Sequence, residues 1–274
     1  MQLKEVLIKN DFHFKKKFGQ NFITDKNLLD KIVDSAGVTE QDTVVEVGVG
    51  GGTLTEALAK RCKRVVGYEI DKTLEPILNE TLAAYDNVSI VFGDVMKIDT
   101  SSIEENIGEE YKLVANLPYY ITTPILMKFI DEAEKLKSVS VTVQDEVADR
   151  LCAAAGTENY GAITAAIDAV GNAKKVLYID RRNFYPIPNV DSALVRIDID
   201  RNKYDIPDRS MYRAAVRCAF LSRRKTLVNN LMLSFGFSRQ KAEEIVAAIG
   251  KDKLVRGETL TTEDFIKLSE QLNK

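Results

Sequence analysis

The chain alternates between short apolar runs and longer stretches in which apolar residues recur every three or four positions. Runs at Thr43–Val47, Val65–Glu69, Val88–Phe92, Tyr111–Ala115 and Ser138–Val143 are short and mostly rich in β-branched residues, and they predict strands. Between them, Leu54–Arg61, Thr73–Ala84 and Pro124–Lys135 carry helical spacing; an earlier helix, capped near Thr24 or Asp25, runs to about Ala36. Helical segments over Asp145–Ala155 and Ala162–Val170 lead to strands at Lys175–Ile179 and Ala193–Ile199. Strands alternating with helices predict an α/β fold, a mostly parallel sheet with helices on both faces. From about Asp208 the rhythm changes to helices alone, at Arg209–Phe220, Arg223–Phe235, Ser238–Ile249 and Thr262–Leu272. The pattern predicts an N-terminal arm over 1–22, an α/β domain over 23–204 and a small all-helical domain over 205–274.

Composition narrows the chemistry. With 274 residues, 45% hydrophobic and 29% charged, the chain has the make-up of a soluble globular protein. No apolar stretch is long enough to span a bilayer and the N-terminus lacks a signal-like apolar region, so cytoplasmic location is the expectation. Cys62, Cys152 and Cys218 are far apart and form no C-x-x-C pair, which argues against a disulfide framework or a zinc site. His13 is the sole histidine, so the chemistry has to manage largely without imidazole, and no metal is expected. A net charge of −3 gives no general attraction for polyanions, so nucleic-acid binding would need local basic patches.

Two such patches exist. Lys15, Lys16 and Lys17 are interleaved with Phe12, Phe14, Phe18 and Phe22, as in a flexible arm for phosphates or a tail anchored by its phenylalanines; we favour the arm. Arg223, Arg224 and Lys225 form the second cluster, which suits phosphate binding or a solvated helix start. Arg213, Arg217 and Arg224 would share a face only if one helix continued through them; a cap at Ser222 would break that register.

The strand ends carry the most informative residues. Glu46-Val-Gly48-Val-Gly50-Gly-Gly52 follows the first strand and opens a helix, and its spacing fits E-x-G-x-G-x-G. The dinucleotide fingerprint would need Gly or Ala where Thr53 stands. Glu69 closes the second strand, where an acid can accept ribose hydroxyls, and Asp94 closes the third, where it can accept from an adenine amine. Glu46 beside the glycines suits a cationic or zwitterionic adenosine cofactor better than a pyrophosphate. At the end of the fourth strand stands Asn116-Leu117-Pro118-Tyr119: an amide, a backbone carbonyl held by the following proline, and an aromatic face. A nucleobase could stack on Tyr119.

Taken in order, Gly19-Gln-Asn-Phe22, Glu46–Gly52, Glu69, Gly93-Asp94, Asn116–Tyr119, Val190-Asp-Ser-Ala193 and Arg223-Arg-Lys-Thr-Leu227 make the chain resemble the S-adenosylmethionine (SAM)-dependent small-subunit rRNA adenine N6,N6-dimethyltransferase family. The resemblance covers nearly the whole chain. It implies a Rossmann-like methyltransferase domain plus a helical domain. It also implies SAM contacts at Gln20, Asn21, Ile23, Gly48, Gly50, Glu69, Ile70, Asp94, Val95 and Asn116. The implied substrate is a pair of adjacent adenosines near the 3′ end of 16S rRNA, met in an immature small subunit by a monomeric enzyme. Asn116, Leu117, Pro118 and Tyr119 then form the catalytic turn, and Phe184 is expected on the other face of the base, with core packing as its alternative. Val49, Tyr120, Asp145 and Asn189 depart from the family pattern, the last two at positions often basic in relatives. Rival readings are a large-subunit rRNA methyltransferase of the macrolide-resistance type, a small-molecule methyltransferase, and a non-catalytic nucleic-acid-binding factor of the same fold.

Overall fold

The computed structural model describes residues 3–13, 15, 19 and 21–273. These divide into two compact units: residues up to Ala148 together with Ala173–Ile199, and Asp149–Asn172 together with the chain from Asp200.

The first unit is built on a sheet whose strands are β2 (Thr43–Val47), β3 (Arg64–Glu69), β4 (Val88–Phe92), β5 (Tyr111–Asn116), β6 (Leu136–Gln144), β7 (Gly171–Ile179) and β9 (Ser192–Ile199). Their order across the sheet is β4-β3-β2-β5-β6-β9-β7. Neighbours from β4 to β6 run parallel, and β9 lies antiparallel to β6. All five residues of β2 are buried, as expected of a central strand covered on both faces, and this places even Glu46 in the interior. The chain fills one side of β2 and then returns to the other through β5, so the switch point lies between these strands. Their carboxyl ends carry the glycine loop and Asn116, and ligands of such sheets bind at this crevice.

Helices α2 (Lys26–Ser35), α3 (Thr53–Ala59), α4 (Glu75–Thr81), α5 (Thr100–Ile107), α6 (Tyr119–Glu132) and α7 (Asp145–Leu151) connect the strands. Asp25 is the cap of α2, its side chain accepting from the Leu28 amide at 3.0 Å. Two helices differ from expectation. The periodicity does not reveal α5, because its buried face has only Ile103 and Ile107 as apolar members. Helix α6 begins at Tyr119 rather than Pro124: Pro118 is its cap, and Pro124 sits inside it. Pro124 has no N–H for the carbonyl of Tyr120, but that turn is exposed and water can serve it. Tyr119 and Tyr120 are therefore presented on a helical first turn.

The described part of segment 1–22 is not a free arm. Residues Leu3–Lys9 form α1, whose Leu3, Val6 and Leu7 are buried with Val49, Leu74, Ile77 and Leu78. Val49, a departure in the glycine loop, thus serves as core. Lys15 is tied down as well, donating to Asp71 at 2.7 Å and to Thr73 at 2.8 Å. Phe22–Ile23 form a short strand, β1, antiparallel to β8 (Phe184–Tyr185), with Ile23 opposite Phe184. Lys16, Lys17 and Gln20 lie outside the described residues.

The second unit holds α8 (Ala162–Asp168), α9 (Arg209–Ala219), α10 (Leu227–Phe235), α11 (Arg239–Ala248) and α12 (Thr262–Leu272). A single domain over 23–204 does not describe this division, because 149–172 joins the helices that follow. The Tyr212 hydroxyl donates to the Ala165 carbonyl at 3.0 Å, the Gly156 amide donates to Glu258, and Arg223 donates to the carbonyls of Glu158 and Tyr160. Helix α10 starts at Leu227, capped by Thr226 rather than Ser222, so Arg223–Lys225 occupy the exposed turn after α9. Arg213 and Arg217 share α9, but the turn takes Arg224 out of their register.

Candidate active site

A cavity of about 490 Å³ opens at the carboxyl edge of β2, β3, β4 and β5. Of the residues expected to bind cofactor, Asn21, Ile23, Gly48, Gly50, Glu69, Ile70, Asp94, Val95 and Asn116 all line it. Leu117, Pro118, Tyr119 and Phe184 line it too, and so do Glu46, Thr53, Tyr68, Met96 and Tyr120. The parallel strands β2 to β5 bring their carboxyl ends to one edge, which is why motifs scattered over more than half of the chain converge.

The floor is the glycine loop. Gly48, Gly50 and Gly52 have φ of +76°, +59° and +81°, backbone that side chains rarely adopt. A Cβ on Gly50 would also stand 2.7 Å from the Phe22 ring, so the loop and the β1 segment need glycine there for space. Thr53, the residue that breaks the dinucleotide fingerprint, uses its hydroxyl to hold the Ile23 carbonyl at 2.8 Å. It fastens the N-terminal segment over the loop.

Glu69 is buried and has both oxygens engaged. Oε2 accepts from the Gly50 amide at 2.8 Å and Oε1 from the Asp71 amide at 2.7 Å. Each oxygen keeps a further lone pair for a hydroxyl. Burial pushes this carboxyl above its ordinary range, opposed by those two amides. Asp94 caps a short 3₁₀ turn with one oxygen, on the Met96 amide at 3.0 Å, and retains the other.

Glu46, expected as a charge beside the loop, is an interior group in the fold. It is 1% exposed, and its Oε2 accepts no hydrogen bond from any described residue. Burial raises its pKa to about 8, and the nearby Glu69 charge adds to the shift. The neighbouring Thr55 hydroxyl, itself without a hydrogen-bond partner, falls short of bonding geometry.

At the opposite wall, Nδ2 of Asn116 donates to the Asn21 carbonyl at 2.9 Å. This leaves Oδ1 as the acceptor end of the amide. Tyr119 is half-buried, and its hydroxyl meets that of Ser192 at 2.8 Å. Phe184 is 3% exposed and belongs to the core cluster with Ile23, Leu28 and Leu194 while also contributing to the cavity wall. Core packing, the alternative reading of this residue, therefore describes it, with one side turned to the cavity. Neither the Asn21–Asn116 nor the Tyr119–Ser192 contact has a local signal in the sequence.

A doubly covered sheet, a glycine loop after its first core strand, an acid after its second and an amide-proline-aromatic turn after β5 define a Rossmann-like SAM-dependent methyltransferase. The cofactor suits the cavity: the loop backbone approaches closely, the volume is that of a small-ligand site, and an unpartnered buried carboxyl oxygen favours a cationic ligand. The ribosomal RNA adenine dimethylase family matches residues 11–274. The chain is 44% identical over 275 residues to the ribosomal RNA small subunit methyltransferase A of Alkaliphilus oremlandii, covering 99% of this chain and 96% of that one. It is 44% identical over 281 residues to the protein of the same name from Bacillus pumilus, covering 100% and 96%. Among solved structures, the 23S rRNA methyltransferase ErmE aligns with a TM-score of 0.67 at 25% identity, over 92% of this chain and 100% of that one. A dimethyladenosine transferase from Plasmodium falciparum shares the fold, with a TM-score of 0.76 at 24% identity over 92% and 97%. The chain belongs to the ribosomal RNA adenine dimethylase family, and is a SAM-dependent enzyme acting on rRNA adenines.

Proposed function

We propose that this enzyme dimethylates two adjacent adenosines near the 3′ end of 16S rRNA, in an immature small subunit, as a cytoplasmic monomer. The full-length similarity to small-subunit enzymes supports the choice of RNA. The observation that carries the chemistry is the orientation of Asn116, whose donor end is occupied by the Asn21 carbonyl.

An adenine N6 lone pair is delocalised into the ring, so the amine is a weak nucleophile. Oδ1 of Asn116 and the carbonyl of Leu117 accept its hydrogens and favour a pyramidal nitrogen. The buried Leu117 precedes Pro118, which keeps that carbonyl in place. Tyr119 holds one face of the extruded base and Phe184 bounds the other side. Bound SAM supplies an electrophilic methyl group on a sulfonium. Held by Asn116 and Leu117, the amine would take that methyl group, and the alkylated nitrogen would then release its proton to water. The hydrogen bonds contribute ~1 kcal/mol each. In-line placement contributes up to roughly 7–11 kcal/mol, so positioning dominates. It also offsets the few kcal/mol needed to unstack the base.

Cofactor roles fall to Gly48 and Gly50 through their backbone, to Glu69 at the ribose, and to Asp94 at the cofactor's adenine. Asn21, Ile23, Ile70 and Val95 complete the surrounding wall, and Gln20 belongs to the same set. Arg223, Arg224 and Lys225, on an exposed turn, supply phosphate contacts. Lys15 is committed to Asp71 and tethers the N-terminal segment, and Lys16 and Lys17 remain proposed phosphate contacts.

The test is methyl transfer from labelled SAM to immature small subunits, followed by mapping of the modified adenines. Adjacent dimethylated adenosines near the 3′ end of the small-subunit RNA are expected. Labelling of large-subunit RNA in its place would overturn the assignment and favour the macrolide-resistance type.

A further inference from the structure

Ser192 has no role in the mechanism as described, yet it touches one of its principal side chains. It is completely buried, opens β9, and pairs with Gln144 of β6 in the antiparallel ladder. Its hydroxyl therefore rides on a backbone fixed by the sheet. The Tyr119 hydroxyl reaches it at 2.8 Å from the first residue of α6. Burial raises the Tyr119 pKa and the Asp191 charge adds to this, so both hydroxyls are neutral and bonded at neutral pH.

A stacking platform needs only a flat face, which phenylalanine also provides. The hydroxyl adds a second point of attachment. The backbone holds the near end of the ring and Ser192 holds the far end, so the ring can neither swing about χ1 nor tilt without breaking a partly buried bond. The value of such a lock differs between the two methylations. An unmodified amine offers two hydrogens, for Oδ1 of Asn116 and the Leu117 carbonyl. A monomethylated amine offers one. With half of its hydrogen-bond orientation gone, the base relies more heavily on the plane that supports it.

We propose that Ser192 is a positioning residue that fixes the plane of Tyr119 and thereby sets the efficiency of the second methyl transfer. This rests on Tyr119 serving as the platform for the base.

The experiment uses the full-length enzyme with immature small subunits and labelled SAM, and measures the single-turnover rate of each transfer and the monomethyl-to-dimethyl ratio. Ser192→Ala is expected to slow the second transfer about fivefold, the equivalent of one neutral hydrogen bond. The first transfer should change less, and KM for the subunit and SAM affinity by calorimetry should not change. Tyr119→Phe should reproduce this pattern, and the double variant should be no worse than either single one. An unchanged product ratio in Ser192→Ala overturns the proposal. So does a Ser192→Ala loss that recurs in full in the Tyr119→Phe background, since that loss would come from damage to the fold. Tyr119→Ala separates the two levels. If it is inactive while Ser192→Ala is normal, only the positioning role fails; if it transfers normally, the platform reading fails and takes the proposal with it.

Discussion

Asn116 and Asn21 are 95 residues apart in sequence, yet the side-chain amide nitrogen of the first donates to the backbone carbonyl of the second at 2.9 Å. That one bond decides which end of the amide a substrate amine can meet. It also makes the geometry of the amine site depend on the N-terminal segment, which Thr53 and β8 hold in place.

Replacing Asn116 with Ala removes the acceptor without touching the core. Transfer should fall by ~10²-fold or more, the usual consequence of misplacing a reacting group. Circular dichroism should show a melting temperature close to that of the unmodified protein. Near-normal rates would remove Asn116 from the chemistry.

Glu69→Ala should weaken SAM binding and also loosen the loop, because the Gly50 and Asp71 amides lose their buried acceptor. Each unpaired buried amide costs ~1–3 kcal/mol, so a drop in melting temperature should accompany the loss of affinity. Calorimetry showing unchanged affinity would exclude Glu69 from the cofactor site.

Glu46 predicts a pH dependence. Burial raises its carboxyl from an ordinary 4.5 to about 8, so the folded protein retains a proton that the unfolded chain has released. The resulting contribution to stability is fully present below about pH 4.5, declines as pH rises, and is lost above about pH 8. Melting temperatures of Glu46→Gln should therefore gain on the unmodified protein as pH rises through this window. A cationic ligand favours the ionised form, so SAM binding should release a proton near neutral pH and tighten as pH approaches 8. Calorimetry in two buffers of different ionisation heat reads that proton; identical heats would show that Glu46 stays protonated.

The basic turn can be tested apart from the fold. Arg223 also holds the carbonyls of Glu158 and Tyr160, so the informative change is Arg224→Gln with Lys225→Gln. RNA binding should weaken, and its log–log salt slope should flatten by roughly 0.7–0.9 for each phosphate that is no longer neutralised. An unchanged slope would take the turn out of the RNA interface.

Much of this enzyme is determined by its sequence alone. The run Thr43–Val47 is a strand because β-branched residues in a short apolar run suit a covered sheet. Thr262–Leu272 is a helix with a legible start, since Thr261 and Asp264 form a capping box. Parallel strands bring their carboxyl ends to one edge, so the order of motifs after β2, β3, β4 and β5 was enough to gather Gly48, Glu69, Asp94 and Asn116 around one cavity. Short elements escaped because they lack a period: β1 and β8 have two residues each, and α5 has two apolar residues on its buried face.

Only the tertiary structure decided how the assembled residues are held. Lys15 meets Asp71 across 56 positions and Tyr119 meets Ser192 across 73. Segment 149–172 joins helices that follow it by some 40 residues or more. The protonation of Glu46 likewise depends on how completely the fold strips water from it. Such contacts arise when separate elements are packed together, and neither propensity nor periodicity records which distant partner a side chain will meet.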